Sequence, residues 1–276
     1  MKTISLWWRC AAFAAAFAGV AAAQPSVERI PIPLTDPSRP VMLKVGLIAG
    51  GITVKGYAGK EVIVEATMQP DDEDEPAEKP KGTLKRIPNT SMGLTAEEED
   101  NTVSVSTGLM GGSRRIDLSI QVPVACSMKI STVNDGDISV ENVNGDLEVN
   151  NTNGSISLQK IGGSAVAQTV NGEVHVTFTS VNPGKAMSFS SLNGDIDVTF
   201  PASLKANVQL KSEQGEIYSD FDVQMQKSTA RVEKNEKGKG TYRVSLEKAM
   251  RGTINGGGQE IQFTNFNGSI YIRKGS

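Results

Sequence analysis

At 276 residues the chain is long enough for one large domain or two small ones, and its 28 glycines with 5% aromatics fit many short strands joined by tight turns. The formal net charge of −3 argues against a nucleic-acid partner. A single histidine, His175, and two cysteines leave little material for a Ser-His or thiol-based catalytic group or a histidine-rich zinc site.

Residues 1–23 read as a cleaved secretory signal. Lys2 and Arg9 mark a charged start, "CAAFAAAFAGVAAA" is too short and too alanine-rich to span a membrane, and Ala21-Ala22-Ala23 offers the small residues a signal peptidase reads. Cleavage before Gln24 removes Cys10 and both tryptophans and takes the charge from −3 to −5. Cys126 then stands alone in an oxidising compartment, and its apolar setting "VPVACSMKI" predicts a buried, inert thiol. Residues 24–40, with five prolines, are expected to form an extended arm.

Strand signals begin at 41, where β-branched residues alternate around glycines in "VMLKVGLIAGGITVKGYAGKEVIVEA". An acidic insertion follows near 69–101. Its charged, proline-rich "QPDDEDEPAEKPKG" lacks the turn glycine and ligand spacing of a calcium loop, and it reads with "AEEED" (96–100) as mobile and solvated.

The strongest signal is a nine-residue register of glycines at 136, 145, 154, 163 and 172. Two residues after each glycine stand Ile138, Leu147, Ile156, Ala165 and Val174, and four residues after stand Val140, Val149, Leu158, Ala167 and Val176. Alternate residues of a strand share a face, so these point inward. Seven residues after, Val143, Thr152, Ile161 and Val170 are expected to turn inward again past a corner. Two such units make a flattened coil of about 18 residues, and stacked coils share a core. The predicted fold is an all-β, single-stranded β-solenoid over 41–276 with Asn-Gly corners. Glycines 136, 154 and 172 line one edge and continue to Gly194 and Gly215. An amide ladder of Asp135, Asn153, Asn171, Asn193 and Gln214 is expected beside them.

Residues 227–251 carry eight Lys or Arg against three Glu, which predicts a solvated hairpin or a contact for an acidic partner. The strand-turn units of the form V-N-G-D-I-x-V, "DVTFPASLKANVQLKSEQGEIYSDF" and the closing "GGGQEIQFTNFNGSIYI" resemble the adhesin-like β-strand-repeat domains of bacterial envelope proteins. The resemblance spans roughly 41–276. It implies a β-repeat fold and supplies no catalytic residues.

A calcium β-roll would need an aspartate recurring after the glycines, where this chain alternates Asp, Ser and Glu. The expected protein is therefore exported to the periplasm, cell surface or medium, non-enzymatic and without cofactor or metal, and it presents a binding or scaffolding surface to a protein, a cell surface or a second copy of itself. The alternatives are a component of an envelope-stress pathway with one protein partner, and a solenoid polysaccharide lyase or hydrolase acting through carboxylates such as Asp195 and Asp197. The candidate docking face is the sheet on which Asp137, Glu173, Asp195, Asp197 and Glu216 point outward with no Lys or Arg among the positions one and three residues after the glycines; His175 also lies there, and the opposite sheet is nearer neutral.

Overall fold

The computed structural model describes residues 27–69, 93–107, 115–134, 136–226, 231–233, 243–245 and 249–275. Among these residues there is no helix. The protein is all-β and β-solenoid-like, with a 20-stranded sheet and a separate two-stranded sheet in which Arg231–Glu233 pairs antiparallel with Arg243–Ser245.

Consecutive strands alternate between two ladders of parallel strands. One holds Cys126–Thr132, Asn144–Asn151, the second half of Ile156–Asn171 and Met187–Asn193. The other holds Ile138–Glu141, the first half of Ile156–Asn171, Val174–Val181 and Ile196–Phe200. The 18-residue coil appears in the register itself, since Ile138, Ile156 and Val174 are neighbours on adjacent strands. All ten aliphatics predicted to face inward, two and four residues after the glycines, are at most 3% exposed. They join one core cluster that both ladders share. Within it Phe178 stacks on Phe200 at 5.2 Å and Phe189 on Phe263 at 5.3 Å, with edge-to-face contacts between the two pairs.

Spatial order departs from chain order at both ends. Val41–Gly46 lies between Thr102–Thr107 and Cys126–Thr132, and Ile52–Tyr57 lies between Ile116–Pro123 and Ile138–Glu141. Likewise Gln259–Asn267 separates Met187–Asn193 from Ala206–Gln214, and Ile270–Lys274 separates Ile196–Phe200 from Ile217–Ser219. The edge column of glycines therefore runs 50, 136, 154, 172, 194, 268, 215. A Cβ on any of the last six would come within 2.4 Å of the backbone of the glycine before it, so the stacking itself excludes a side chain there. The expected step from Gly194 directly to Gly215 is corrected, because Gly268 sits between them. Periodicity identifies which segments are rungs; it carries no information about which rung lies beside which once the connection exceeds a simple corner.

Three local expectations also change. Residues 27–33 are no free arm: Val27–Pro33 pairs antiparallel with Glu61–Met68, where its two prolines suit a sheet edge. "AEEED" is not a wholly solvated run. Leu94–Glu99 pairs antiparallel with Thr102–Thr107 through a turn in which Asp100 and Asn101 both have positive φ, and Glu98 accepts hydrogen bonds from the Thr35 and Asn101 amides. Residues 70–92 lie outside the described residues, as does most of the basic 227–251 segment. Thirdly, the two corners differ. At the Gly145 and Gly163 edge, Val143 and Ile161 are buried as expected, but at the Gly154 and Gly172 edge Thr152 is half-buried and Val170 is exposed.

Candidate binding surface

At the asparagine-glycine edge, two rows of side chains explain how the coil closes. The first faces inward. Thr132, Asn151, Thr169, Ser191 and Asn265 are 1–6% exposed, and each donates a hydrogen bond to the carbonyl of the glycine one rung below: Gly50, Gly136, Gly154, Gly172 and Gly194, at 2.9–3.1 Å. A buried carbonyl without a donor is costly, so the corner takes a polar residue inward. The strand's alternation then turns the next residue outward, which is why Val170 faces solvent.

The second row is the amide ladder. Asn153 donates to Asn134, Asn171 to Asn153, Asn193 to Asn171 and Asn267 to Asn193, with Nδ2 to Oδ1 distances of 2.7–3.3 Å. Asn134 and Asn267 occupy places expected for Asp135 and Gln214. Asp135 lies outside the described residues, and Gln214 is opposite Asn267 one rung further along.

Between these two rows runs a third that sequence reading missed. Val133, Val170, Leu192 and Phe266 stand one residue before the ladder asparagines and Ile48 one residue before Ala49, which bridges Asn134; the row is interrupted by Thr152, and its members are 38–46% exposed. Six rungs at about 4.8 Å make a ridge of roughly 24 Å. The sequence motif does not separate it from the core, since "VNG" at 170–172 holds the exposed Val170 and the same "VNG" at 143–145 holds the buried Val143. Toward the sheet, the ridge borders a groove of about 420 Å³. The outward residues along the groove are Asn150, Gln168, Ser190 and Thr264, which are neighbours on successive strands. Lys211 and Glu213, paired at 3.3 Å, close its end.

The five acidic residues singled out from sequence do share the other outward face, but most of their carboxylates have internal work. Asp137 accepts the Ser155 amide at 2.7 Å and Asp195 accepts the Ser269 amide at 2.8 Å, and Ser155 and Ser269 continue the same corner bonds to Glu173 and Glu216. Asp197 accepts Arg273 Nε at 2.8 and 2.9 Å. The expectation of no nearby cation is corrected at this point: the out-of-sequence strand Ile270–Lys274 brings Arg273 beside Asp197, and Arg273 also lies over the Tyr271 ring, which stacks on Tyr218 at 5.2 Å. Among the described residues only Glu173 and Glu216 of the five keep carboxylates without such partners. His175 is exposed two residues after Glu173 and shares a shallow groove of about 290 Å³ with Glu173, Asp195, Asp197 and Arg273.

On the ridge-side sheet, Asp146 pairs with Lys185 and accepts the Ser164 hydroxyl at 2.7 Å; both hydrogen bonds hold its carboxyl below the usual range. Lys129 pairs with Glu148 at 2.8 Å. Cys126 is fully buried, and desolvation pushes its thiol up to about 12, which disfavours the reactive thiolate. No group of three or more His, Cys, Asp or Glu among the described residues is placed to hold a metal ion. The described residues, which form no helix, also hold none long and apolar enough to cross a membrane.

No curated protein matches the chain. Among solved structures it is similar to a candidate cell adhesion protein from Clostridium sporogenes, with 12% identity over 91% of this chain and 100% of that one and a TM-score of 0.44. It is also similar to a candidate adhesin from Bacteroides fragilis, with 14% identity over 90% and 97% of the two chains and a TM-score of 0.38. A candidate adhesin from Parabacteroides merdae matches at 10% identity over 91% and 96%, with a TM-score of 0.29. The model of the family described as Toastrack DUF4097 matches residues 87–255, more than half of the chain. The chain therefore belongs to the Toastrack DUF4097 family.

Proposed function

We propose that the protein is exported through its N-terminal signal and acts in the bacterial envelope as a non-enzymatic, adhesin-like binding protein. The two parallel ladders are, in this reading, the walls of a single-stranded β-solenoid, and its long edge is the working surface. The observation that carries the reading is the ridge of Ile48, Val133, Val170, Leu192 and Phe266. An apolar row left in water along most of one edge of an otherwise well-packed domain marks a contact surface more often than scattered single residues do. Its neighbours on the sheet are uncharged amides and hydroxyls, which suits contact with a partner that must also remain soluble. The test is binding of the exported chain to isolated envelope material. Leu192→Asp combined with Phe266→Asp is expected to weaken it roughly a hundredfold while leaving the melting temperature within a few degrees, since both side chains are exposed. Retained binding by that variant would end the reading.

A second reading, docking of a basic protein segment on the sheet face of Asp137, Glu173, Asp195, Asp197 and Glu216, is favoured by the free carboxylates of Glu173 and Glu216 and the groove beside His175. It predicts steep weakening with salt.

A further inference from the structure

We infer that the groove beside the ridge takes an extended, neutral, β-linked polysaccharide chain lying along the stacking axis. The inference rests on the reading of the ridge as a docking surface and adds the class of ligand.

Three features of the groove select that class. Its lining repeats along the axis: Asn150, Gln168, Ser190 and Thr264 occupy the same outward position on four successive rungs, so each rung offers an amide or hydroxyl to the same side of a bound chain. A ligand that uses such a row must itself repeat at about the 4.8 Å rung spacing. The advance of an extended β-linked chain per pyranose ring is close to this; successive rings turn over, so alternate edges meet the row, and amides and hydroxyls can serve either edge. An extended peptide advances about 3.3 Å per residue, so its residues fall out of step with the rungs.

Charge gives the second constraint. None of the four lining residues is ionisable, and the flanking Lys211 is paired with Glu213. Neither a polyanion nor a cationic peptide would find its counter-charge there, whereas hydroxyl groups find donors and acceptors on every rung. The third is the ridge itself. Val170, Leu192 and Phe266 form the groove's apolar side, which can cover the C–H faces of sugar rings while the amides and hydroxyls take their edges.

The experiment is calorimetric titration of the exported chain with a length series of soluble β-linked glucose and N-acetylglucosamine oligosaccharides. Polygalacturonate and a lysine-rich peptide serve as charged controls. Affinity is expected to rise with oligosaccharide length until the chain spans the lined rungs and to be insensitive to salt. Gln168→Ala with Ser190→Ala is expected to weaken it roughly tenfold through loss of two hydrogen-bonding side chains, with folding unchanged. Absence of oligosaccharide binding overturns the inference. So does binding confined to either charged control, or concentration-dependent self-association that Leu192→Asp abolishes. If no oligosaccharide binds while the Leu192→Asp, Phe266→Asp variant still loses envelope binding, the ligand class is wrong and the ridge stands. If that variant keeps envelope binding, the ridge itself is wrong.

Discussion

The acidic face and the apolar edge are both produced by the same repeat, yet they differ in what their side chains have left to offer. On the acidic face the residue after each glycine bonds backward or forward to a neighbouring corner, so Asp137 and Asp195 serve as acceptors for the amides of Ser155 and Ser269, and Asp197 is neutralised by Arg273. On the edge, the residue before each asparagine has no internal task, because the inward polar residue before it already satisfies the glycine carbonyl and the asparagine after it completes the ladder. A repeated charge in a stacked fold is thus weak evidence for a ligand until its internal bonds are counted. A repeated apolar residue that remains exposed is stronger evidence, since water disfavours it and the fold does not require it.

Substitutions can break or sharpen this contrast, and the largest effect separates inside from outside on the acidic wall. Ile156 is fully buried and Ser157 beside it faces out. Ile156→Asp is expected to destabilise by several kcal/mol or prevent folding, because it buries an unpaired carboxylate, while Ser157→Asp stays within about 0.5 kcal/mol. Denaturant titration of the pair checks the register of the whole wall. Next in size, Leu192→Asp with Phe266→Asp is expected to weaken envelope binding roughly a hundredfold, the scale of two apolar side chains prevented from burial at an interface. Stability should hardly change.

A smaller effect distinguishes a cap from a binding group. Asp195→Ala leaves the Ser269 amide without its acceptor and is expected to cost about 1 kcal/mol of stability with no loss of binding. Thermal unfolding and a binding isotherm on the same sample read the two separately. The smallest effect belongs to Glu173→Lys, at a carboxylate with no hydrogen bond or ion pair among the described residues. Both stability and binding should remain within about 0.5 kcal/mol of the parent.

Much of this architecture was legible in the sequence where rungs adjacent in space are adjacent in chain. From Gly136 to Phe200 the inward positions two and four residues after each glycine could be read directly, because alternation and an 18-residue coil leave one arrangement that buries them all. The ends were not legible. The coils at 41–57, turning at Ala49-Gly50, and at 259–274, turning at Asn267-Gly268, insert between sequence-remote neighbours, and the family match, 87–255, lies between them. Arg273 reached Asp197 only through that insertion. The ridge was hidden for a different reason: Val170 occupies the same offset as the buried Val143 and Ile161, and only the inward hydrogen bond of Thr169 to Gly154 shows that the two corners turn differently. The candidate site was therefore half readable, with the acidic residues found on one face and their internal bonds invisible without the strand order.

The central claim is that the edge, and not the acidic face, is the docking surface. Its most direct test is a side-by-side measurement of binding to isolated envelope material by two folded variants, Leu192→Asp with Phe266→Asp on the edge and Glu173→Lys with Glu216→Lys on the face. Loss of binding in the first with retention in the second, at both low and high salt, is the predicted result. Retention in the first with loss in the second would contradict the claim and return the function to the acidic face.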